Sequence, residues 1–530
     1  MPNSGATHDR DTPAASPYPD RMTPEPPARI WPYLLVNLFV AGWLDFSRIH
    51  QMMNPDSVIY SLASLYEWRP FFWEQDRVGL LWPLLFSWSR DPLLTLLLQT
   101  FTTTYLGLCM PVLFARVISP HRAGPALATA AGAVVMLCVT PDDRGQSVIL
   151  DNWLVVCNFP GSLTLALGAI LILERDGGGR WVRAGRVLLA GGLLLAAHWV
   201  YLGVLLFLVP FVLYRGWLPG PTPAVSWRRV LVRPLLQPAV RWFLIGSVVS
   251  AAAVFALMQY VLATDPSVGP TPTRELPVER WPWVWGSLVG MLFLEPGIPL
   301  AAGAFAVVAG AGLVWGLTFD RPAVKALALR TLPVFLAALG EFAFLGTRFW
   351  VENNSYHPRY LVAVGTGLSL SVLLVGLAPV VGRWRWAGVF AVGLLGVACV
   401  VRFGWPGPDV PRQSVEWAAW NTADDLAGLD IDGVGGDYPT AWSVVFAANV
   451  RRHELGLPEL WGVSYRAGPL RHRWADPDRT YRVAVVRVDQ DWERRHADLY
   501  AGLYGLRRVS PEPVATRGRV EVYEYRAVVP

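Results

Sequence analysis

The chain has 530 residues, of which 53% are hydrophobic and only 16% charged, with 26 Trp and a mean hydropathy of +0.35. Soluble domains carry roughly a quarter charged residues, so this balance excludes a wholly soluble or disordered protein and points to lipid as the main solvent. The formal charge of +5 arises from 45 basic and 40 acidic residues with no long basic run, which leaves nucleic-acid binding without an electrostatic footprint.

Residues 1–29 are rich in Pro, Ser, Thr and charge and read as a disordered cytoplasmic tail. A secretory signal would start its apolar core nearer the terminus and end at a small-residue cleavage site, so the run from Ile30 to about Leu44 is expected to stay as the first span. Trp31, Tyr33 and Trp43 suit the two interfaces of that short span.

Further apolar segments of spanning length fall near 93–115, 124–140, 159–173, 242–263, 298–318, 331–347, 360–381 and 386–404. The stretch 187–214 is too long for one span, and the spacing predicts two short helices meeting near His198 and Trp199. The run 282–294 is ambiguous, and charge decides it. If it lies in the outer interface, the inner loops hold 16 basic residues against 3 acidic ones, while the outer loops hold 9 basic and 14 acidic. That asymmetry follows the positive-inside rule. The expectation is an α-helical polytopic membrane protein with about eleven transmembrane helices, amino terminus inside and carboxyl terminus outside. The cysteines at 109, 138, 157 and 399 show no metal-ligand spacing and read as small buried hydrophobes.

From about residue 405 the composition changes: 16 basic and 18 acidic residues stand in the last 126. Tyr481 to Val488 alternates like a strand, Asp491 to Leu503 has helical spacing, and Arg519 to Arg526 alternates again. Residues 405–530 are therefore expected to form a small extracytoplasmic α/β soluble domain, and residues 30–404 a transmembrane domain. Gly435-Gly436-Asp437-Tyr438-Pro439 reads as a turn and helix entry.

Chemistry is expected in the long first outer loop, residues 45–92. Asp45 closes the first span, where a helix end holds its carboxylate at the membrane surface. Farther on, Arg69-Pro-Phe-Phe-Trp-Glu-Gln-Asp-Arg77 places Glu74 and Asp76 two apart beside aromatic residues that exclude water. These acids are either functional or simply solvated or paired with Arg48, Arg69 and Arg77. A second cluster, Arg348 to Tyr360, enters a late span. His357 and Arg359 stand there at head-group level, either to bind a phosphate or to anchor the span by snorkelling. Among lesser polar residues, Glu341 lies within a span, His198 at a helix junction, and Asp151-Asn152-Trp153 in the second outer loop.

This order of features resembles the GT-C class of integral-membrane glycosyltransferases: a first span ending in Asp45, a long outer loop with Glu74-Gln75-Asp76, many spans, Tyr356-His-Pro-Arg-Tyr-Leu361 before a late span, and an outer soluble tail. The segment Arg69 to Asp76 and the Tyr-His-Pro-Arg-Tyr-Leu run are similar to bacterial members of the lipid-linked mannosyl and arabinosyl transferase type. The likeness covers roughly residues 30–405. It implies a GT-C-like catalytic domain in the bacterial cytoplasmic membrane, a polyprenyl-phosphate sugar as donor, and an extracytoplasmic glycan, lipid or protein as acceptor. Asp45 is then the first choice of base for the acceptor hydroxyl, with Asp76 or Glu74 as second base or as ligands of a divalent metal such as Mg or Mn. Arg77, His357, Arg359 and Tyr360 are the expected donor-phosphate set. The chain departs from the strongest family pattern because Phe46, not a second acid, follows Asp45. The competing class, a polytopic transporter or lipid flippase, predicts inverted repeats and several midplane ions.

Overall fold

The computed structural model describes chiefly residues 30–48, 55–66, 80–118, 159–175, 177–201, 237–264, 276–294, 310–315, 322–348, 407–488 and 490–528, with single positions between them. The membrane part of what is described is helical. Its elements are α1 (Trp31–Arg48), α2 (Pro55–Leu65), α3 (Leu81–Phe86), α4 (Pro92–Ile118), α5 (Phe159–Leu173), α6 (Arg180–Val200), α7 (Pro238–Thr264), α8 (Trp281–Leu294) and α9 (Pro322–Leu345).

The described parts of α4 and α7 include windows long and apolar enough to cross a bilayer. At 1.5 Å per residue, the 27 residues of α7 extend about 40 Å. Trp242, Ile245, Val248, Val249, Phe255 and Tyr260 stand exposed along it. A helix that is apolar nearly all round and unburied needs lipid against it. The expected spans 124–140, 360–381 and 386–404, and the tail 1–29, lie outside the described residues, as does most of 298–318.

For 187–214, the expected break holds to within two residues and the first helix starts earlier than expected, while most of 202–214 lies outside the described residues. One helix, α6, runs unbroken from Arg180 to Val200 and ends where Tyr201 turns extended (φ −156°, ψ 107°). Its start precedes the apolar run because Arg180, Arg183 and Arg186 recur every three residues on an exposed helical face. The expected meeting point at His198 and Trp199 is the last turn of α6, so a helix does end there, but it is 21 residues long rather than short. Similarly, α9 begins at Pro322, nine residues before the apolar stretch that announced it. The described part of the ambiguous segment is the 14-residue α8, about 21 Å long.

Packing between α1 and α4 sets the position of the site. Asn37 donates to the Leu108 carbonyl (2.9 Å), the flank of Gly42 faces Phe101 (3.7 Å from an added Cβ), and Asp45 meets Thr100. Partner numbers fall as residue numbers rise, so the two helices are antiparallel. Arg48 and Asp91 therefore lie on one face, and the first loop leaves and returns there. Asp91 starts α4 cleanly: its carboxylate accepts from the amides of Leu93 (2.9 Å) and Leu94 (3.2 Å), with Pro92 at the first helical position.

The carboxyl-terminal region is α/β. After α10 (Val410–Ala418) and α11 (Ala423–Ala427) come β1 (Gly433–Gly435), α12 (Tyr438–Glu454), β2 (Trp461–Val463), β3 (Thr480–Val486), α13 (Gln490–Leu503), β4 (Leu506–Arg508), β5 (Ala515–Arg517) and β6 (Val520–Ala527). The sheet order is β2-β1-β3-β6-β4, with β5 also on β6. The first three strands are parallel, and β6 lies antiparallel on β3, Thr480 opposite Arg526. The alternating runs at 481–488 and 519–526 are thus paired neighbours, β3 and β6. Trp442, Phe446, Trp474, Tyr481, Tyr523 and Tyr525 fill the core around them. The Gly435–Pro439 turn enters α12 as its sequence suggests. Asp437 caps the helix by accepting from the Thr440 amide (2.9 Å), while a Cβ on Gly436 would come 2.8 Å from Glu493 Oε2.

Candidate functional site

Asp45 lies in the last turn of α1, with only 1% of its surface exposed. It lies beside Thr100 of α4, whose hydroxyl donates to the Leu96 and Leu97 carbonyls (2.9 and 3.3 Å), and its Oδ1 has no partner among the described residues. The sequence placed this carboxylate at an open helix end. Instead, the helix continues to Arg48 and the side chain points back into the α1/α4 seam. A buried polar atom left unsatisfied costs about 1–3 kcal/mol, and more if charged, so it calls for a reason beyond folding. Two residues before Asp45 on α1, Trp43 meets Trp405 edge-on, with ring centroids 4.5 Å apart.

The first described helix of the first loop is not a solvated connector. Residues 57–65 of α2 are all buried, between α4 on one side and α12 on the other. Toward α4, Ser61 donates to the Pro92 carbonyl (2.8 Å), and Gln99 donates to the Tyr60 carbonyl (3.3 Å) and to Ser64 Oγ (3.0 Å). Gln99 directly precedes Thr100, the neighbour of Asp45.

Toward α12, each end of α2 is fastened. At its first turn, Asp56 accepts from the Tyr438 hydroxyl and from Arg466 Nη1, which also donates to the Tyr438 oxygen at 2.7 Å. The side chains of Arg466 and Asp56 are 12% and 14% exposed. The guanidinium lies over Tyr438 and Tyr465, 4.8 and 5.4 Å from the ring centroids. Burial works against the Arg466 charge, but Asp56 and the two tyrosines outweigh it, so its pKa is raised. Its backbone is left-handed, with φ 73°, a conformation that costs a non-glycine residue about 1–3 kcal/mol and persists only when its surroundings hold it. Just past the other end of α2, the Tyr66 hydroxyl donates to the Leu460 carbonyl and accepts from Asn449 Nδ2. Asn449 completes a reciprocal pair with Leu460, donating to its carbonyl (2.9 Å) and accepting from its amide (2.7 Å). Burial raises the Tyr66 pKa, keeping the hydroxyl protonated as a donor.

These contacts put the first loop and the carboxyl-terminal domain on the same side. The end of α6 joins them: Trp199 lies 6.3 Å from Trp68, and the Trp68 indole donates to the Leu80 carbonyl (2.9 Å). His198, beside Trp199, is buried with Nδ1 unpartnered among the described residues. Glu341 is buried in α9 with Oε2 likewise unpartnered, while Arg348 lies over Phe344, 3.9 Å from the ring centroid.

Of the residues expected to form the site, only Asp45 is described. Glu74, Asp76, Arg77, His357, Arg359 and Tyr360 lie outside the described residues, as do Asp151, Asn152 and Trp153. The described residues contain no group of three His, Cys, Asp or Glu side chains suited to a metal, and Asp45 meets a hydroxyl rather than a second acid. A charged cleft lined by Arg412, Glu416, Asp424, Arg451 and Glu454 is self-satisfied: Arg412 pairs with Glu454 (2.8 Å) and Arg451 with Asp424 (2.6 Å).

A largely helical membrane protein with a docked α/β domain and a buried carboxylate, Asp45, left with an unpartnered oxygen among the described residues is the class that the geometry defines. No protein-family model and no curated protein matches the chain. Among solved structures, it is similar to ArnT from Cupriavidus metallidurans bound to undecaprenyl phosphate, at 12% identity over 93% of this chain and 98% of that one, with a TM-score of 0.35. The apo state of the same protein gives 13% and 0.34 over the same shares. The Archaeoglobus fulgidus oligosaccharyltransferase tethered with an acceptor peptide gives 12% and 0.34 over 79% of this chain and 63% of that one. Both proteins are GT-C glycosyltransferases. At these TM-scores the likeness carries no argument for this chain.

Proposed function

We propose that the chain is an integral-membrane glycosyltransferase of the GT-C type, moving a sugar from a polyprenyl-phosphate donor to an acceptor outside the bacterial cytoplasmic membrane. The observation that carries this reading is Asp45: a carboxylate withdrawn from water, with one oxygen unpartnered among the described residues, at the helix end from which the acidic first loop departs. The amino terminus lies inside and the carboxyl-terminal domain outside, as the basic inner loops favour.

In the proposed step the acceptor oxygen attacks the anomeric carbon as the bond from that carbon to the phosphate oxygen breaks. Asp45 takes the hydroxyl proton, and the electron pair of the broken bond leaves on the phosphate. A single displacement inverts the anomeric centre. The phosphate is a stable anion and needs cations rather than a strong acid, a part for which Arg77, His357, Arg359 and Tyr360 are the sequence-based candidates. Glu74 and Asp76 remain candidates for a second base or for metal ligands. The donor is lipid-linked because nucleotide sugars stay on the cytoplasmic side.

The test is transfer from purified polyprenyl-phosphate sugars by the full chain, comparing wild type with Asp45→Asn and Asp76→Asn. Loss of turnover in Asp45→Asn supports the assignment. Full activity in both variants sinks it.

A further inference from the structure

The carboxyl-terminal domain meets α2 and its flanks through hydrogen bonds spanning 382 to 410 residues of sequence, among them those of Asp56 with Tyr438 and Arg466 and that of Tyr66 with Asn449. They hold both ends of one helix, α2, which also hydrogen-bonds to Gln99 of α4. The next residue on α4 is Thr100, which lies beside Asp45 where α1 packs on α4. Arg466 and Asp45 are therefore linked through two packed helices, α2, whose residues 57–65 are all buried, and α4, on which Gln99 and Thr100 are neighbours in sequence.

We infer that the carboxyl-terminal domain is a positioning element for the Asp45 site, with Arg466 its principal positioning residue. This rests on the glycosyltransferase reading only for its kinetic arm. Three features set Arg466 apart from an ordinary surface anchor. Its pair with Asp56 is largely buried, where breaking one partner strands the other. Two tyrosine rings and the Tyr438 hydroxyl fix its guanidinium, so its reach is set by the domain's core and not by a flexible stem. Its left-handed backbone is maintained against a local preference, as expected of a residue whose placement is over-determined by its surroundings. Asn449 does the same work at the far end of α2 with uncharged groups.

Two readouts on the full chain in nanodiscs test this. In hydrogen exchange, Arg466→Gln and the milder Tyr438→Phe should speed exchange of the α2 amides from Val58 to Leu65 and leave α5 unchanged. In transfer assays, Arg466→Gln should lower kcat about ten- to a hundredfold, as expected for misplacement of a reacting group, with the donor KM unchanged. Arg466→Lys, which retains a donor for Asp56, should recover part of the loss. A merely structural role would reduce the yield of folded protein without splitting kcat from KM. Unchanged α2 exchange in both variants overturns the inference, whatever the protein's activity. Faster α2 exchange in a wild-type background that transfers no sugar would leave the clasp standing and remove the glycosyltransferase reading. Normal kcat in a variant with loosened α2 would overturn the link to Asp45.

Discussion

Asp45 and Asp56 stand eleven residues apart, both withdrawn from solvent, and the protein treats them in opposite ways. Asp56 is met by a guanidinium and a phenol, with its charge balanced and its geometry fixed from the far end of the chain. Asp45 has only a neighbouring threonine whose hydroxyl is engaged by its own helix, and an oxygen with no partner among the described residues. A buried carboxylate that is paired holds structure together. One left half-satisfied stores interaction energy that a substrate can use. The contrast separates the residue that does chemistry from the residue that holds the machinery.

The sharpest way to break the comparison is Asp45→Asn. Loss of a general base should lower the transfer rate by about 10²- to 10⁴-fold. Because no charge partner is stranded, the thermal midpoint of the purified protein should not fall. A stability loss with normal turnover would reverse the roles assigned to the two acids.

Next in size is Asp56→Ala. Removing one member of a buried pair leaves Arg466 uncompensated and should cost about 3–5 kcal/mol, read as a lower denaturant midpoint for the carboxyl-terminal domain. Asn449→Ala should cost less, about 2 kcal/mol, since it leaves the Leu460 amide and the Tyr66 hydroxyl each short of a partner without exposing a charge.

The smallest effect concerns Glu493, which accepts from the Asp437 amide (3.0 Å) and the Thr440 hydroxyl (3.0 Å) beneath the α12 cap. Burial first, and the Asp437 charge second, raise its pKa above the ordinary 4.5, and the two hydrogen bonds only partly oppose this. The folded state therefore binds the proton more readily than the unfolded chain. The stability this contributes is full below pH 4.5 and is lost as pH rises through the raised value. Glu493→Gln should flatten that slope, with a change of under about 1 kcal/mol at neutral pH, measurable as chemical denaturation at several pH values.

Much of the architecture was legible along the chain because it depends on local repeats. Apolar runs marked α4, α5 and α7, alternation marked β3 and β6, and a Gly-Gly-Asp-Tyr-Pro turn marked the entry to α12. Helix starts were less legible. Arginines that continue a helical face belong to α6 although hydropathy stops before them. Asp45 was found because it ends an apolar run. Nothing near Asp56, Tyr66, Asn449 or Arg466 announced them, since each is an ordinary polar residue until its partner, some four hundred positions away, is placed beside it.

Composition and periodicity by themselves determined that this chain meets lipid through helices and carries a charged α/β region after them, because hydrophobic burial and backbone hydrogen bonding act over a few residues at a time. Only the tertiary structure decided that α2 is enclosed between those two parts, and that one of two neighbouring acids is neutralised while the other is left open. Charge pairing depends on distance in space, and in a chain of this length that distance bears no relation to separation in sequence.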